Sequence, residues 1–144
     1  MTILPRLWRA ALLPLALAAA PLVAPPLAAQ ASPDPGFAQE LFPPELVMQN
    51  QQKIGLRPDQ RTAITEAVQQ LQSKVVELQW RMQEETQRLT ELLQHTPVNE
   101  AEALAQVDRV LSVEREVKRA HMTMLIRIKN TLTPEQQAML KTLR

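Results

Sequence analysis

Residues 132–136 read Leu-Thr-Pro-Glu-Gln, a short stretch with the pattern of a beginning helix. Thr133 is suited to cap the helix, Pro134 suits the first helical position, and Gln136 can reach back to close a capping box with Thr133. Leu132 stands just before the cap, where an apolar side chain can fix the angle at which the chain enters the helix. The stretch therefore predicts a helix start close to the end of the chain.

The same pattern occurs earlier, where residues 56–60 read Leu-Arg-Pro-Asp-Gln. This copy keeps Leu56, Pro58 and Gln60, but it has Arg57 at the capping position, where arginine is a poor cap. If the chain between the two copies folds as one helical hairpin, both copies lie at its open end and can touch. The pair of motifs therefore predicts that the two ends of the hairpin are held together.

The chain after the first copy has the periodicity of a long helix, from Pro58 to about Gln94. Apolar residues recur there at steps of three and four, which places them on one stripe of a helix. Glu85 is the only polar interruption. The predicted stripe comprises Ile64, Val68, Leu71, Val75, Leu78, Met82, Leu89 and Leu92.

A second long helix is predicted after a turn at residues 95–98. Asn99 is a good cap, Glu102 completes the pattern of a capping box, and the helix is expected to end near Asn130. Its stripe is less regular than that of the first helix. It is predicted to contain Leu104, Val107, Leu111, Glu114, Val117, His121, Met124 and Ile128.

An antiparallel hairpin that turns near residue 97 brings together positions whose numbers sum to about 194. This register predicts that Glu85 lies near Arg109 and that Glu114 lies near Trp80 and Arg81. One interpretation is a set of partly exposed ion pairs that fixes the register, and the other is a polar break in a binding groove. The basic residues expected opposite the two glutamates favour the ion pairs.

The composition predicts an all-α fold. The chain has no cysteine or tyrosine and only two glycines, Gly36 and Gly55, and sheet proteins are richer in aromatic residues and turn glycines. A short helix is expected from about Pro44 to Lys53, and another follows Thr133. The predicted architecture is an elongated antiparallel hairpin with short flanking helices, four in all, over residues 44–144. So thin a hairpin covers little core, which predicts a cradle-like homodimer.

The first 31 residues have the pattern of a secretory signal peptide. Arg6 and Arg9 precede a wholly apolar stretch, residues 10–29, and residues 29–31 (Ala-Gln-Ala) form a small-residue cleavage site. The alternative is an uncleaved membrane anchor, which the prolines inside the apolar stretch disfavour. We therefore expect a periplasmic protein in which a flexible proline-rich lead, residues 32–43, precedes the helical domain.

The sequence excludes most enzymatic and nucleic-acid functions. No cysteine is available as a nucleophile, no serine beyond the leader is placed near a histidine, and no glycine-rich loop can hold phosphate. Without Arg6 and Arg9 the chain has fourteen bases against fifteen acids, a balance that gives no electrostatic attraction for nucleic acid. We expect neither an enzyme nor a nucleic-acid-binding protein.

The paired motifs, the hairpin and the export signal together resemble the Spy/CpxP family of small periplasmic stress proteins, which carry an LTxxQ repeat. That family includes the metal-responsive ZraP and CnrX branches. The resemblance implies a curved hairpin of four helices that dimerises into a shallow cradle. It also implies one of three activities: an ATP-independent chaperone for unfolded clients, a heavy-metal sensor or resistance protein, or a CpxP-like regulator of a membrane sensor.

A metal site is the less favoured of these activities. The metal-responsive branches carry histidines on the leading helix, a glutamate early in the long helix and a His-xxx-Met pair on its partner. Here the leading helix has no histidine, Glu66 can stand for the glutamate, and His121 for the partner histidine, but position 125 is leucine. His121, Met124 and Glu66 are the candidate ligands for a transition metal, and a half-buried structural histidine is the alternative for His121.

Client binding is predicted at a mixed apolar and basic surface. Methionine serves adaptable binding surfaces as well as cores, and Met122 falls off the predicted stripe. Trp80 flanks the stripe of the first helix and is expected at a dimer or client surface. Arg115 and Arg119 would supply positive charge beside Met122. The alternative is an ordinary solvated helix face.

Overall fold

The computed structural model describes Gly36 and residues 39–144, and within this part of the chain the fold consists of four α-helices. They are α1 (Pro44–Gln49), α2 (Pro58–Leu93), α3 (Glu100–Thr131) and α4 (Pro134–Thr142). α2 and α3 pack against each other as an antiparallel hairpin. The all-α hairpin with flanking helices is therefore confirmed. The expected signal peptide, residues 1–31, lies outside the described residues, as does most of the predicted lead.

The two long helices have the lengths that the periodicity predicts. α2 has 36 residues and α3 has 32, which correspond to about 54 and 48 Å. The Asn99 side chain accepts a hydrogen bond of 3.4 Å from the Glu102 backbone N–H and so caps α3. α1 is shorter than predicted, because the chain after Gln49 continues in turns to Gly55, whose φ of +60° suits glycine.

The main core lies at the open end of the hairpin, where α1 and α4 pack against both long helices. Leu41 and Phe42 are buried in this core, which corrects the prediction that the flexible lead extends to residue 43. The packed domain begins at Leu41 or before it. The buried members of the cluster are Leu41, Phe42, Val47, Ile54, Leu56, Ile64, Ala67, Met124, Leu125, Ile128, Leu132 and Leu140.

The half of α3 nearest the turn uses a different stripe from the predicted one. Leu104, Leu111 and Glu114 are exposed, which contradicts their placement in the hairpin seam. The buried positions are instead Ala103, Gln106, Val113 and Val117. With half-buried Val110, these positions continue an unbroken 4-3-4-3 spacing back from Val117, which keeps the contact on one line along the helix.

The predicted register is correct, but two of its side-chain pairings are wrong. Glu85 accepts a 2.7 Å hydrogen bond from the buried Gln106 rather than pairing with Arg109. Arg81 binds Glu116 with two hydrogen bonds of 2.9 and 3.1 Å, rather than Glu114. Gln106 lies three positions before Arg109 and Glu116 lies two positions after Glu114, so the contacting numbers sum to 191 and 197, close to the expected 194.

None of the described helices is long and apolar enough to cross a membrane.

Candidate functional site

The two Leu-x-Pro-x-Gln motifs meet at the open end of the hairpin through their glutamines. Gln60 Nε2 donates to Gln136 Oε1 at 2.9 Å, and Gln136 Nε2 donates to Gln60 Oε1 at 3.0 Å. Each amide also binds backbone: Gln60 donates to the Thr131 carbonyl, and Gln136 donates to the Ile54 carbonyl. We call this reciprocal pair, Gln60 and Gln136, the glutamine clasp. It joins the starts of α2 and α4 and the end of α3.

The same glutamines serve as N3 residues of their helices. Gln136 Oε1 accepts from the Thr133 N–H at 2.9 Å, and Thr133 Oγ1 accepts from the Gln136 N–H at 3.3 Å, which is the predicted capping box. Gln60 Oε1 accepts from the Arg57 N–H at 3.1 Å. A guanidinium has no acceptor atom, so the first motif forms only this half of the box.

A groove runs between α2 and α3 on one face of the hairpin, with a volume of about 290 Å³. Its floor is apolar and consists of Ala67, Leu71, Ala120 and Met124. Because two of these four residues are alanines, no side chain fills the space between the helices there. The rim is polar and consists of Gln70, Lys74, Glu116, Arg119, Thr123 and Arg127.

The rim of the groove carries positive charge that the protein leaves partly uncompensated. Lys74 pairs with Glu77 at 2.8 Å, and Glu116 is held by Arg81, which raises the pKa of the arginine and lowers that of the carboxyl. Among the described residues, no carboxylate lies within ion-pair distance of Arg119 or Arg127. Arg127 instead donates to the side-chain oxygen of Gln70. The groove can therefore accept a ligand with apolar and negatively charged parts.

The structure does not bring the four predicted client-binding residues together. Arg119 lies on the rim of the groove, and Arg115, one turn away, is exposed outside it. Trp80 is 69% exposed on the outer side of α2, two residues beyond the fully buried Leu78. Met122, which falls off the predicted stripe of α3, is half-buried against the main core and so does not lie on an open face of the molecule.

The floor of the groove was missed in the sequence analysis because its residues are ordinary for a helical core. Ala67 and Ala120 show no distinctive chemistry, and Met124 was placed in the seam. The signal that was available is residue size: small alanines on both long helices leave a gap that larger residues would close.

The predicted metal ligands are likewise separated. Met124 is buried in the core, and Glu66 lines a shallow depression with Arg127 and Asn130. His121 is half-buried, and burial lowers its pKa while the charge of Glu45 on α1 acts in the opposite direction. Within the described residues no three His, Cys, Asp or Glu side chains lie close enough to hold a metal ion. The donors of one chain do not fit a site with about four strong ligands.

The fold and the groove define a class of protein: a small helical hairpin with an open, partly apolar groove between its two long helices. The chain belongs to the heavy-metal resistance family, whose model matches residues 11–139. This is the group of the Spy-, CpxP- and ZraP-like proteins, so the resemblance drawn from the paired motifs is confirmed. The family is one of non-catalytic stress and metal-resistance proteins that are typically periplasmic, in agreement with the expectation that the chain is not an enzyme.

No curated protein and no solved structure matches the chain significantly.

Proposed function

We propose that this protein is a periplasmic, ATP-independent chaperone that binds unfolded protein segments in the groove between α2 and α3. The observation that supports this most directly is the combination of an apolar floor with the guanidinium groups of Arg119 and Arg127, neither of which has a carboxylate partner among the described residues. Unfolded segments expose apolar side chains next to charged ones, and such a surface recognises both weakly.

The groove suits many sequences rather than one. It is open and shallow, and its rim consists largely of long side chains that can adjust to different ligands. With only two glycines, the chain has no loop for binding nucleotide, so release would follow from weak binding or from folding of the client. A chaperone that releases its clients in this way needs no ATP, which is compatible with the expected periplasmic location.

The test is suppression of aggregation of an unrelated, chemically denatured protein by the purified chain. We expect suppression at a several-fold excess of the chain, and about threefold to tenfold weaker suppression by the Arg119→Glu variant, because the charge reversal repels acidic segments at the rim. The matched control is Arg61→Glu, which reverses an exposed charge outside the groove on α2. Equal losses in both variants, or no suppression by the unchanged protein, would refute the proposal.

A second candidate function is the binding of a transition metal at His121. The supporting observation is that the half-buried His121 feels the charge of Glu45 on α1, so that one imidazole and one carboxylate lie in the same part of the fold. Two donors leave the rest of the coordination to water or to a second molecule. Titration with Zn²⁺, Ni²⁺ and Cu²⁺ followed by thermal unfolding decides this: a metal-dependent rise in Tm that His121→Ala abolishes would favour metal binding over the chaperone.

A further inference from the structure

The groove between α2 and α3 is bordered by a polar bridge across the hairpin. Arg127 on α3 donates a hydrogen bond to the side-chain oxygen of Gln70 on α2, and both side chains are exposed. The shallow depression lined by Glu66, which has a volume of about 310 Å³, begins on the other side of this bridge. Ala67, Gln70 and Arg127 line both spaces. We call the bond between Arg127 and Gln70 the strap.

The strap joins a charged donor to a neutral acceptor. A carboxylate in place of the Gln70 amide would add the attraction of opposite charges, and its two oxygens can accept two parallel hydrogen bonds from one guanidinium. Among the described residues, no carboxylate lies within ion-pair distance of Arg127. An acidic group from another molecule can therefore displace Gln70 from Arg127.

We propose that the strap selects clients by an acidic side chain, an inference that rests on the proposed function of the groove. The carboxylate of the client replaces Gln70 on Arg127, and the release of Gln70 joins the groove to the depression. The joined space extends from Glu116 to Thr131 along α3, which corresponds to about 22 Å. An extended segment of roughly seven residues covers this length at about 3.3 Å per residue.

The small residues on either side of Arg127 indicate where the apolar side chains of the client lie. Ala120 lines the groove, Ala63 lines the depression, and Ala67 lines both. Alternate side chains of an extended segment point to the same face, about 6.6 Å apart. A client with its acidic residue at position i therefore places apolar side chains at i−2 and i+2, one in each space.

The charges around the joined space favour one acidic residue in the client rather than several. Arg119 and Lys74 line the groove, whereas Glu66 lines the depression. Among the described residues, no base lies within ion-pair distance of Glu66, so this carboxylate repels a second acidic side chain at that end. The recognised pattern is an acidic residue with an apolar residue two positions before it and another two positions after it.

Two peptides of the same composition test this pattern, with fluorescence anisotropy of the labelled peptide as the readout and the full chain as the receptor. One peptide reads Ser-Leu-Ser-Glu-Ser-Leu-Ser, the other reads Ser-Leu-Glu-Ser-Ser-Leu-Ser, and both are blocked at their ends. Moving the glutamate by one position turns its side chain to the opposite face of an extended segment. We expect the first peptide to bind about twofold to fivefold more tightly, which is the range for an exposed pair of opposite charges. Arg127→Gln should bind both peptides equally.

Substitutions of Gln70 distinguish the strap from a merely structural contact, because they should act in opposite directions. Gln70→Ala leaves Arg127 without its internal acceptor and should tighten binding of the first peptide. Gln70→Glu supplies a carboxylate from within the chain and should weaken that binding. The control is Gln69→Glu, which adds the same charge to α2 outside both spaces and should weaken binding less than Gln70→Glu does. Circular dichroism checks that each variant remains helical.

The outcomes separate this inference from the chaperone proposal. Equal binding of the two peptides, or changes of the same sign in Gln70→Ala and Gln70→Glu, would overturn the role of the strap. If the unchanged protein suppresses aggregation in that case, the chaperone proposal stands without the strap. The expected peptide preference without suppression of aggregation would instead support the strap and refute the chaperone proposal.

Discussion

Glutamine at positions 60 and 136 performs three tasks that no other residue type could perform together. Its amide oxygen caps the backbone N–H of Arg57 or Thr133, its amide nitrogen binds a carbonyl across the fold, and both atoms bind the other glutamine. Glutamate would lack the donor, and methionine would lack both groups. Every polar side-chain atom that is buried in the described structure has a partner, which is the condition under which buried polar networks stabilise a fold.

Removal of one glutamine of the clasp should destabilise the fold. In Gln136→Ala the Ile54 carbonyl, the Thr133 N–H and the Gln60 amide each lose a partner in a buried site, so we expect the free energy of unfolding to fall by about 2 to 4 kcal/mol. Urea unfolding measures this loss. Gln69→Ala, which truncates an exposed glutamine on α2, should cost less than about 0.5 kcal/mol. Similar losses in the two variants would contradict the role assigned to the clasp.

His121 should make stability depend on pH. Burial lowers its pKa, and the smaller opposing effect comes from Glu45, so the folded protein disfavours the protonated ring relative to the unfolded chain. The unfolded chain then binds more protons near its own pKa of about 6.5, and stability falls as the pH drops through that value. Urea unfolding between pH 7.5 and 5.5 should therefore show a shallower pH dependence in His121→Gln than in the unchanged protein, and an equal pH dependence of the two would contradict this role of His121.

The capping at Thr133 and the meeting of the two motifs could be predicted from the sequence, because both depend on local patterns and on the antiparallel path of the hairpin. The bond from Gln136 to the Ile54 carbonyl could not be predicted. This bond depends on the turns after Gln49, where the sequence pattern instead predicts that the first helix continues to about Lys53. Local signals therefore identify the residues of the clasp but not all of their partners.

At the level of the helices, the two long elements differ in how well their packing could be predicted. The stripe of α2 is the only apolar line on that helix, and its members Ile64 and Leu78 are almost fully buried. α3 has two apolar lines about one residue apart. The line with the larger side chains, Leu104 and Leu111, was predicted to form the seam, and this prediction is wrong. The hairpin uses the line with Ala103 and Gln106, because it continues without a break from Val113 and Val117.

The corrected seam makes a quantitative prediction about two valines. Val113 is 1% exposed in the second core cluster, so Val113→Ala should reduce the free energy of unfolding by about 1 to 3 kcal/mol through lost burial and a residual cavity. Val76 on α2 is 53% exposed, and Val76→Ala should change stability by less than about 0.5 kcal/mol. Equal effects in urea unfolding would show that the seam of α3 does not run through Val113.

On the scale of the whole molecule, the apolar core is unevenly distributed along the hairpin. The open end contains twelve buried apolar residues from the leading segment, both long helices and α4. The middle of the hairpin contains the cluster of Leu78, Val113 and Val117, and nearer the turn the seam depends on the pair formed by Gln106 and Glu85. The groove lies between the main core at the open end and the cluster of Leu78, Val113 and Val117.

This uneven core predicts a gradient of local stability along α2. Residues 60–70 of α2 pack in the main core, so their amide hydrogens should exchange only when much of the fold opens. Residues 84–92 are packed only through the Gln106–Glu85 pair and two half-buried leucines, Leu89 and Leu92. We expect exchange near the turn to be at least about tenfold faster in native-state hydrogen exchange. Uniform protection along α2 would mean that the hairpin opens as a single cooperative unit, because the backbone of a 36-residue helix would then transmit the stability of the open end to the turn.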